Sequence, residues 1–365
     1  MARIPSVYNR REIRPQTCFG FAEFYKRLKL PQPALNGAFR NLIMNGILSR
    51  SRSAAFLFGV CLFAPGAARA SLNVPPGAAA GLEKLYAGDP DAAIEEFQSI
   101  QREQPEHPLG YLLEAEARWW KIYCESAEFK YGMTDAWKRN KQREDAVYLQ
   151  LIAKEIKLAE AQLAKSQTAE AHFYAGMGYA LRSRILALFG EHRGSARAGV
   201  RAREHLLRAL ALEPDLADAD LGLGLYNYYV DTLSAIAKVL RFFMGIPGGS
   251  KKEGIRQLER AMTQGVLVRE DARFYLAKNL RNYDQQYQRA LEILEPLVRQ
   301  YPSNPVFLLL EGDLYAKLNR KPQAAESFRA AAALPLRDPN CRQRIAELAR
   351  ASLAALGLPA SSPAN

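Results

Sequence analysis

Only four histidines and four cysteines stand among the 365 residues, and this scarcity removes most site chemistry at once. His107, His172, His192 and His205 show no spacing that would set an imidazole beside a second imidazole, Cys, Asp or Glu around a metal ion on one helical face. No Gly-x-Ser-x-Gly nucleophile elbow and no dinucleotide-binding glycine fingerprint occurs. Asp218 and Asp220 come nearest to a catalytic carboxylate pair, but residues two apart on a helix point to different sides, so both are expected as solvated surface. The loop from Gly245 to Lys251 lacks the Gly-Lys pair and the preceding strand of a phosphate-binding loop. It reads instead as a turn and a capping box, with Ser250 as N-cap and Glu253 reaching back. The sequence predicts no enzyme, no cofactor and no metal.

Acidic residues are scarce only at the N-terminus. The first 70 residues carry 11 Lys or Arg against 2 Asp or Glu, a net of +9 out of the chain's +12. The remainder is nearly balanced, so the pI of about 9.5 belongs to a leader and not to a basic stripe on a folded domain, and nucleic acid is not an expected partner. Within the leader, Arg50 and Arg52 precede the apolar run from Ala54 to Ala64, and Ala68-Arg69-Ala70 places small residues where a signal peptidase reads. The sequence thus predicts export to the periplasm or the medium, with translation starting at Met44 and cleavage after Ala70. The apolar run is shorter than the roughly 20 residues of a permanent span.

Without the leader, Cys124 and Cys341 remain. If each unit of the fold touches only its sequence neighbours, residues so far apart should not meet, and both are expected as small buried hydrophobes without a mutual disulfide. Long apolar runs are missing too. Leu216 to Met244 is the most apolar stretch, but Asn227, Asp231, Lys238 and Arg241 interrupt it at a cost that lipid burial makes high. It reads as one long buried helix or two in series, with membrane contact as the alternative.

What is present is a repeated helical stripe. Ala93, Phe97 and Ile100 are followed by Pro105; Ala202, Leu206 and Ala209 by Pro214; Ala290, Leu294 and Leu297 by Pro302; and Ala324, Phe328 and Ala331 by Pro335. A step of four and then three keeps each triplet on one helical face, and the proline cannot continue the helix. A small residue admits a partner helix and the bulky one fills the gap beside it. Gly254, Leu258 and Ala261 form a fifth copy with glycine in the alanine place. The last two proline-closed copies lie 34 residues apart. With Gly312 and Tyr315 ahead of the final triplet, this pattern resembles the tetratricopeptide repeat superfamily over Gly77 to Leu356. Around Gly222, Gly224, Gly245 and Gly254 the chain also looks like a eukaryotic subfamily of tetratricopeptide proteins linked to mitochondrial outer membranes and lipid handling; no function is carried over from four glycines.

The resemblance implies an all-α, right-handed superhelical solenoid of antiparallel hairpins over residues 71–356, with an enlarged second hairpin at 107–165. Ser71 to Ala80 would be an entry segment, helices are expected from Asp135 to Lys165 and from Pro339 to Leu356, the last capping the open end of the stack, and 357–365 would be disordered. It further implies a concave groove lined by the first helix of each pair and holding a peptide or partner protein, which the export signal would place in the cell envelope. The positions assigned to that groove are Tyr179, Arg182, Asn279, Asn282, Tyr283, Asp313 and Lys317. The function expected is a non-enzymatic protein-protein interaction scaffold, with peripheral association to membrane or lipid through residues 216–244 as the alternative.

Overall fold

A computed structural model of the chain describes residues 72–126, 143–243 and 245–359. These belong to one compact unit, Ala70–Asn365; the other, Met1–Arg69, lies outside the described residues, and with it the expected start and cleavage sites. Every described element is helical: α1 (Pro76–Tyr86), α2 (Pro90–Glu103), α3 (Pro108–Ser126), α4 (Arg143–Lys165), α5 (Ala169–Leu188), α6 (His192–Leu212), α7 (Ala219–Thr232), α8 (Ala235–Phe243), α9 (Lys251–Gln264), α10 (Arg269–Asn279), α11 (Tyr287–Gln300), α12 (Pro305–Lys317), α13 (Lys321–Ala333) and α14 (Pro339–Ala355).

Local signals set the helix starts. Asp89 accepts a hydrogen bond from the Ala92 amide ahead of α2, Thr168 from Ala171 ahead of α5, and Asn304 and Asp338 from two amides each ahead of α12 and α14. Ser250 likewise caps α9, but the Glu253 carboxylate pairs with Arg256. Proline at the first position lets α1 begin at Pro76, inside the expected entry segment. The stretch 216–244 breaks at Leu233 into α7 and α8. The first part of the helix expected from Asp135 lies outside the described residues.

All five triplets are buried, each within 5 % of zero exposure where measured for its apolar members. Helices pack in consecutive pairs, α1 on α2, α3 on α4, α5 on α6, α7 on α9, α10 on α11 and α12 on α13, and each pair packs on the next. Glycines make the pairing close: a Cβ at Gly312 would stand 2.6 Å from the Phe328 ring, and one at Gly176 the same distance from Leu206. At Gly254 the obstacle is the backbone of α7 itself, Gly224 O and Tyr228 N both 2.7 Å away. Glycine occupies the alanine place there because alanine does not fit.

The expectation that units touch only their neighbours is overturned. Helix α14 packs on α3 as well as on α12 and α13, and Cys124 is joined to Cys341 in a disulfide with Cα atoms 5.4 Å apart. The α1–α2 turn interlocks with the α11–α12 turn. Asn304 Nδ2 donates to Tyr86 O, Ser303 Oγ donates to Ala87 O, and Gly88, at φ +90°, leaves only 2.7 Å between its Cβ position and Ser303 O. The Tyr86 hydroxyl donates to buried Asp271 on α10, and Lys121 bridges Asp91 and Asp338. First and last hairpins therefore form a seam, so α14 closes an interface instead of capping an open end. In the chain-entropy picture a cross-link spanning 217 residues stabilises the fold by about 5 kcal/mol.

Asp218 and Asp220 are a second correction. Both are buried. Asp218 accepts from the amides of Val266, Leu267 and Val268 and so holds the turn into α10, while Asp220 receives Arg260. Unpaired backbone donors at a buried turn need an acceptor, and a short carboxylate supplies several.

Candidate partner-binding face

The first helices α5, α10 and α12 carry the expected groove residues, but they are buried on nearly every side. On α10, Asp271, Ala272, Phe274, Tyr275, Leu276, Ala277, Lys278 and Asn279 are all buried, a pattern of a core helix and not of a helix facing an open channel. The space in front of it is filled by α3. Trp120 packs on Phe274 and Phe307 at ring distances of 4.9 and 5.7 Å, and Trp119 Nε1 donates to the Tyr275 hydroxyl.

A polar network lies beside this aromatic layer. Arg184 on α5 forms a two-pronged pair with Glu116 on α3 at 2.7 and 3.1 Å, donates to Tyr148 and Tyr275, and sits 4.1 Å over the Trp119 ring. Lys278 lies over Tyr275 and Tyr123, and burial, helped by the Arg184 charge, lowers its pKa to about 7. An amine of that pKa has nucleophile chemistry open to it. Here it is 3 % exposed, and a substrate has no approach. Glu155 on α4 is fully buried with both carboxylate oxygens unpartnered, and burial, with Glu160 nearby, raises its pKa well above the ordinary range.

Four of the seven expected positions come together where α10 ends. Its last residues continue as a π-helical turn, Leu280–Asp284, closed by Gln285 at φ 55°. Such turns displace side chains from the regular helical register and recur at functional sites. Asn279 is fully buried; its Oδ1 accepts from Tyr229, its carbonyl accepts from Tyr228, and its Nδ2 has no partner. Asn282 accepts from Arg281, whose guanidinium grips Asp313 on α12 at 2.5 and 2.7 Å. Tyr283 swings outward, 40 % exposed, edge-on to Tyr228 and Tyr229 at 5.9 and 6.1 Å. Lys317 is exposed one turn beyond Asp313.

Tyr179 and Arg182 lie elsewhere. Tyr179 is buried, stacked on His205, donating to Glu160 and accepting from Arg201; Arg182 is exposed. His172 and His205 face one another with Nδ1 atoms 3.1 Å apart, and burial lowers both pKa values. Among the described residues no group of three metal-ligating side chains converges. The role of Tyr228 and Tyr229 was missed, although their clustering on an apolar helix was a signal. For the π turn, and for Glu155 and Lys278 as buried charges, the sequence carries none.

Comparison with known proteins gives a family and little else. A family model described as "Regulator of microtubule dynamics protein 1-3" matches residues 111–305. No curated protein matches the sequence. Among solved structures, a monomeric mutant of IFIT1 with Gppp-AAAA is similar at 12 % identity and a TM-score of 0.29, covering 67 % of each chain.

Proposed function

This chain belongs to the family of regulators of microtubule dynamics 1–3, whose match spans more than half of its 365 residues, and from that premise we propose that it is a non-enzymatic scaffold recognising another protein. The observation that carries the proposal is the tyrosine cluster at the end of α10. Tyr283 stands exposed on two tyrosines that are themselves hydrogen-bonded into the core, next in sequence to Asn282, which accepts from the Arg281 that grips Asp313, while Lys317 is exposed one turn beyond Asp313. A rigid aromatic anchor ringed by polar groups is the composition of an interaction hot spot. The buried networks around Arg184 and Lys278 fit a structural role, being closed to substrate.

The compartment proposed is outside the cytoplasm, and the partner a protein or peptide of the cell envelope. The leader pattern supports export, and so does a disulfide across the seam, since such bonds persist in oxidising compartments. The family description concerns microtubule dynamics; what we carry over to an exported chain is protein recognition, not that target. The test is affinity capture from envelope extract with the wild-type chain and with Tyr283→Ala combined with Lys317→Ala. Loss of the same captured protein at unchanged thermal stability supports the face, and undiminished capture contradicts it.

A further inference from the structure

The bond between Cys124 and Cys341 lies where a thiol can reach it. A cleft open to solvent runs beside it, walled by Trp120, Lys121, Pro305 and Arg337 and reaching both cysteines. Cys124 is buried at 4 % exposure while Cys341 is partly exposed, so a thiol entering from the cleft meets the Cys341 sulfur first. Each sulfur also has surroundings that favour its thiolate. Lys121, one turn before Cys124 on α3, lines the same cleft, and a nearby cation stabilises a departing thiolate. Cys341 is the third residue of α14, and a helix N-terminus does the same for it. The Asp338 carboxylate that caps this turn is itself paired with Lys121.

What else joins α3 to α14 is polar. Among the described residues Cys124 is the one buried apolar side chain of α3 in the cluster that α14 enters; the others, Trp120 among them, belong to the main core. Lys121 pairs with Asp338 at 3.3 Å, Asn340 Nδ2 donates to Glu125 at 3.4 Å, and Arg337, just ahead of α14, pairs with Asp89 at 3.4 Å. Surface pairs of this kind hold weakly, and more weakly in salt. Ile345, Ala349 and Leu353, by contrast, bury α14 against α12 and α13. The disulfide therefore decides whether α14 stays on α3.

We propose that Cys124–Cys341 is an exchange site for small thiols and a latch on the seam. Oxidised, it holds α14 against α3; reduced, it lets that edge open while the helix pairs stay folded. The thiolate of the reductant bonds to Cys341 Sγ, the Sγ–Sγ bond breaks, and its electron pair leaves on Cys124 Sγ. A second thiolate then attacks the reductant's sulfur in the mixed disulfide and releases the Cys341 thiolate. Two thiols end as one disulfide, and the two protons they give up pass to the two cysteines. The contacts of Asn304 with Tyr86 and of Ser303 with Ala87 do not involve α14 and remain.

The test uses the full chain under native conditions with glutathione as the probe. Samples are quenched in acid, digested and mapped by mass spectrometry. The expected adduct is a mixed disulfide on Cys341, formed at a rate proportional to glutathione concentration. An adduct on Cys124 instead, a rate independent of glutathione, or no adduct without denaturant overturns the exchange site. Fully reduced protein is then labelled with iodoacetamide, still without denaturant. Opening makes the Cys124 thiol reactive, several-fold faster in about 0.5 M NaCl than at low salt, because only ion pairs then hold the edge. The cooperative thermal transition should survive reduction. Cys124 inert beside a reactive Cys341, a rate indifferent to salt, or loss of the thermal transition overturns the latch. The scaffold reading is decided separately, at Tyr283.

Discussion

Helices α7 and α9 meet glycine against glycine, and alanine substitution at one residue of that contact gives a sharp prediction. At Gly254 on α9 an added Cβ would lie 2.7 Å from Gly224 O and 2.7 Å from Tyr228 N, both backbone atoms of α7 that cannot rotate away. In open space the change from glycine to alanine within a helix gains about 1 kcal/mol. Forcing a methyl into a packed interface costs about 1–3 kcal/mol, and the upper part of that range applies where the backbone must move. Gly254→Ala should therefore lower stability by about 1–2 kcal/mol net, a fall of roughly 1–4 °C in the melting temperature for a chain of this size. Gly199 on α6 is the control. Its nearest neighbour would be Ser183 Oγ at 3.4 Å, ordinary contact distance, so Gly199→Ala should raise stability by up to about 1 kcal/mol. Thermal unfolding followed by circular dichroism reads both. If the two variants shift in the same direction, or if Gly254→Ala is stabilising, the account of how α7 and α9 are held together is wrong.

Two buried charges give pH signatures of different sign. Glu155 has its folded pKa raised by burial, so its stability contribution is fully present below the unfolded value of about 4.3 and is lost as pH rises toward the folded pKa. Glu155→Gln should then stabilise the protein at pH 7 and be nearly neutral at pH 4; a benefit that does not grow with pH would count against it. Lys278, lowered to about 7, binds a proton more readily unfolded than folded, so stability rises between about pH 7 and 10.4. Lys278→Met should gain a few kcal/mol at pH 7 and progressively less toward pH 10.5, read by urea titration at each pH; a constant gain would contradict the assignment.

The triplets were legible because small and bulky residues at helical spacing specify one buried stripe, and the helix starts because Asp89, Thr168, Asn304 and Asp338 are local caps. What was not legible is long-range. Nothing near Cys124 announces Cys341, and the nearest-neighbour rule for repeats argued against their meeting, yet α14 reaches α3. Asp218 and Asp220 misled for a related reason: their partners, the Val266–Val268 amides and Arg260, lie some 40 to 50 residues away. The groove residues divided by depth. Spacing placed Asn279 and Tyr283 near one another, but only the π turn and the packing of α3 and α7 decide that one is core and the other surface.

The seam between first and last hairpins separates this molecule from an open stack of helix pairs, and its covalent link can be read directly. Alkylation of the native protein without reductant, digestion and mass mapping should recover one peptide pair joined through Cys124 and Cys341, split only by reduction. Free thiols at both positions in protein isolated from an oxidising compartment would contradict the closure, and with it the assignment of α14 to α3.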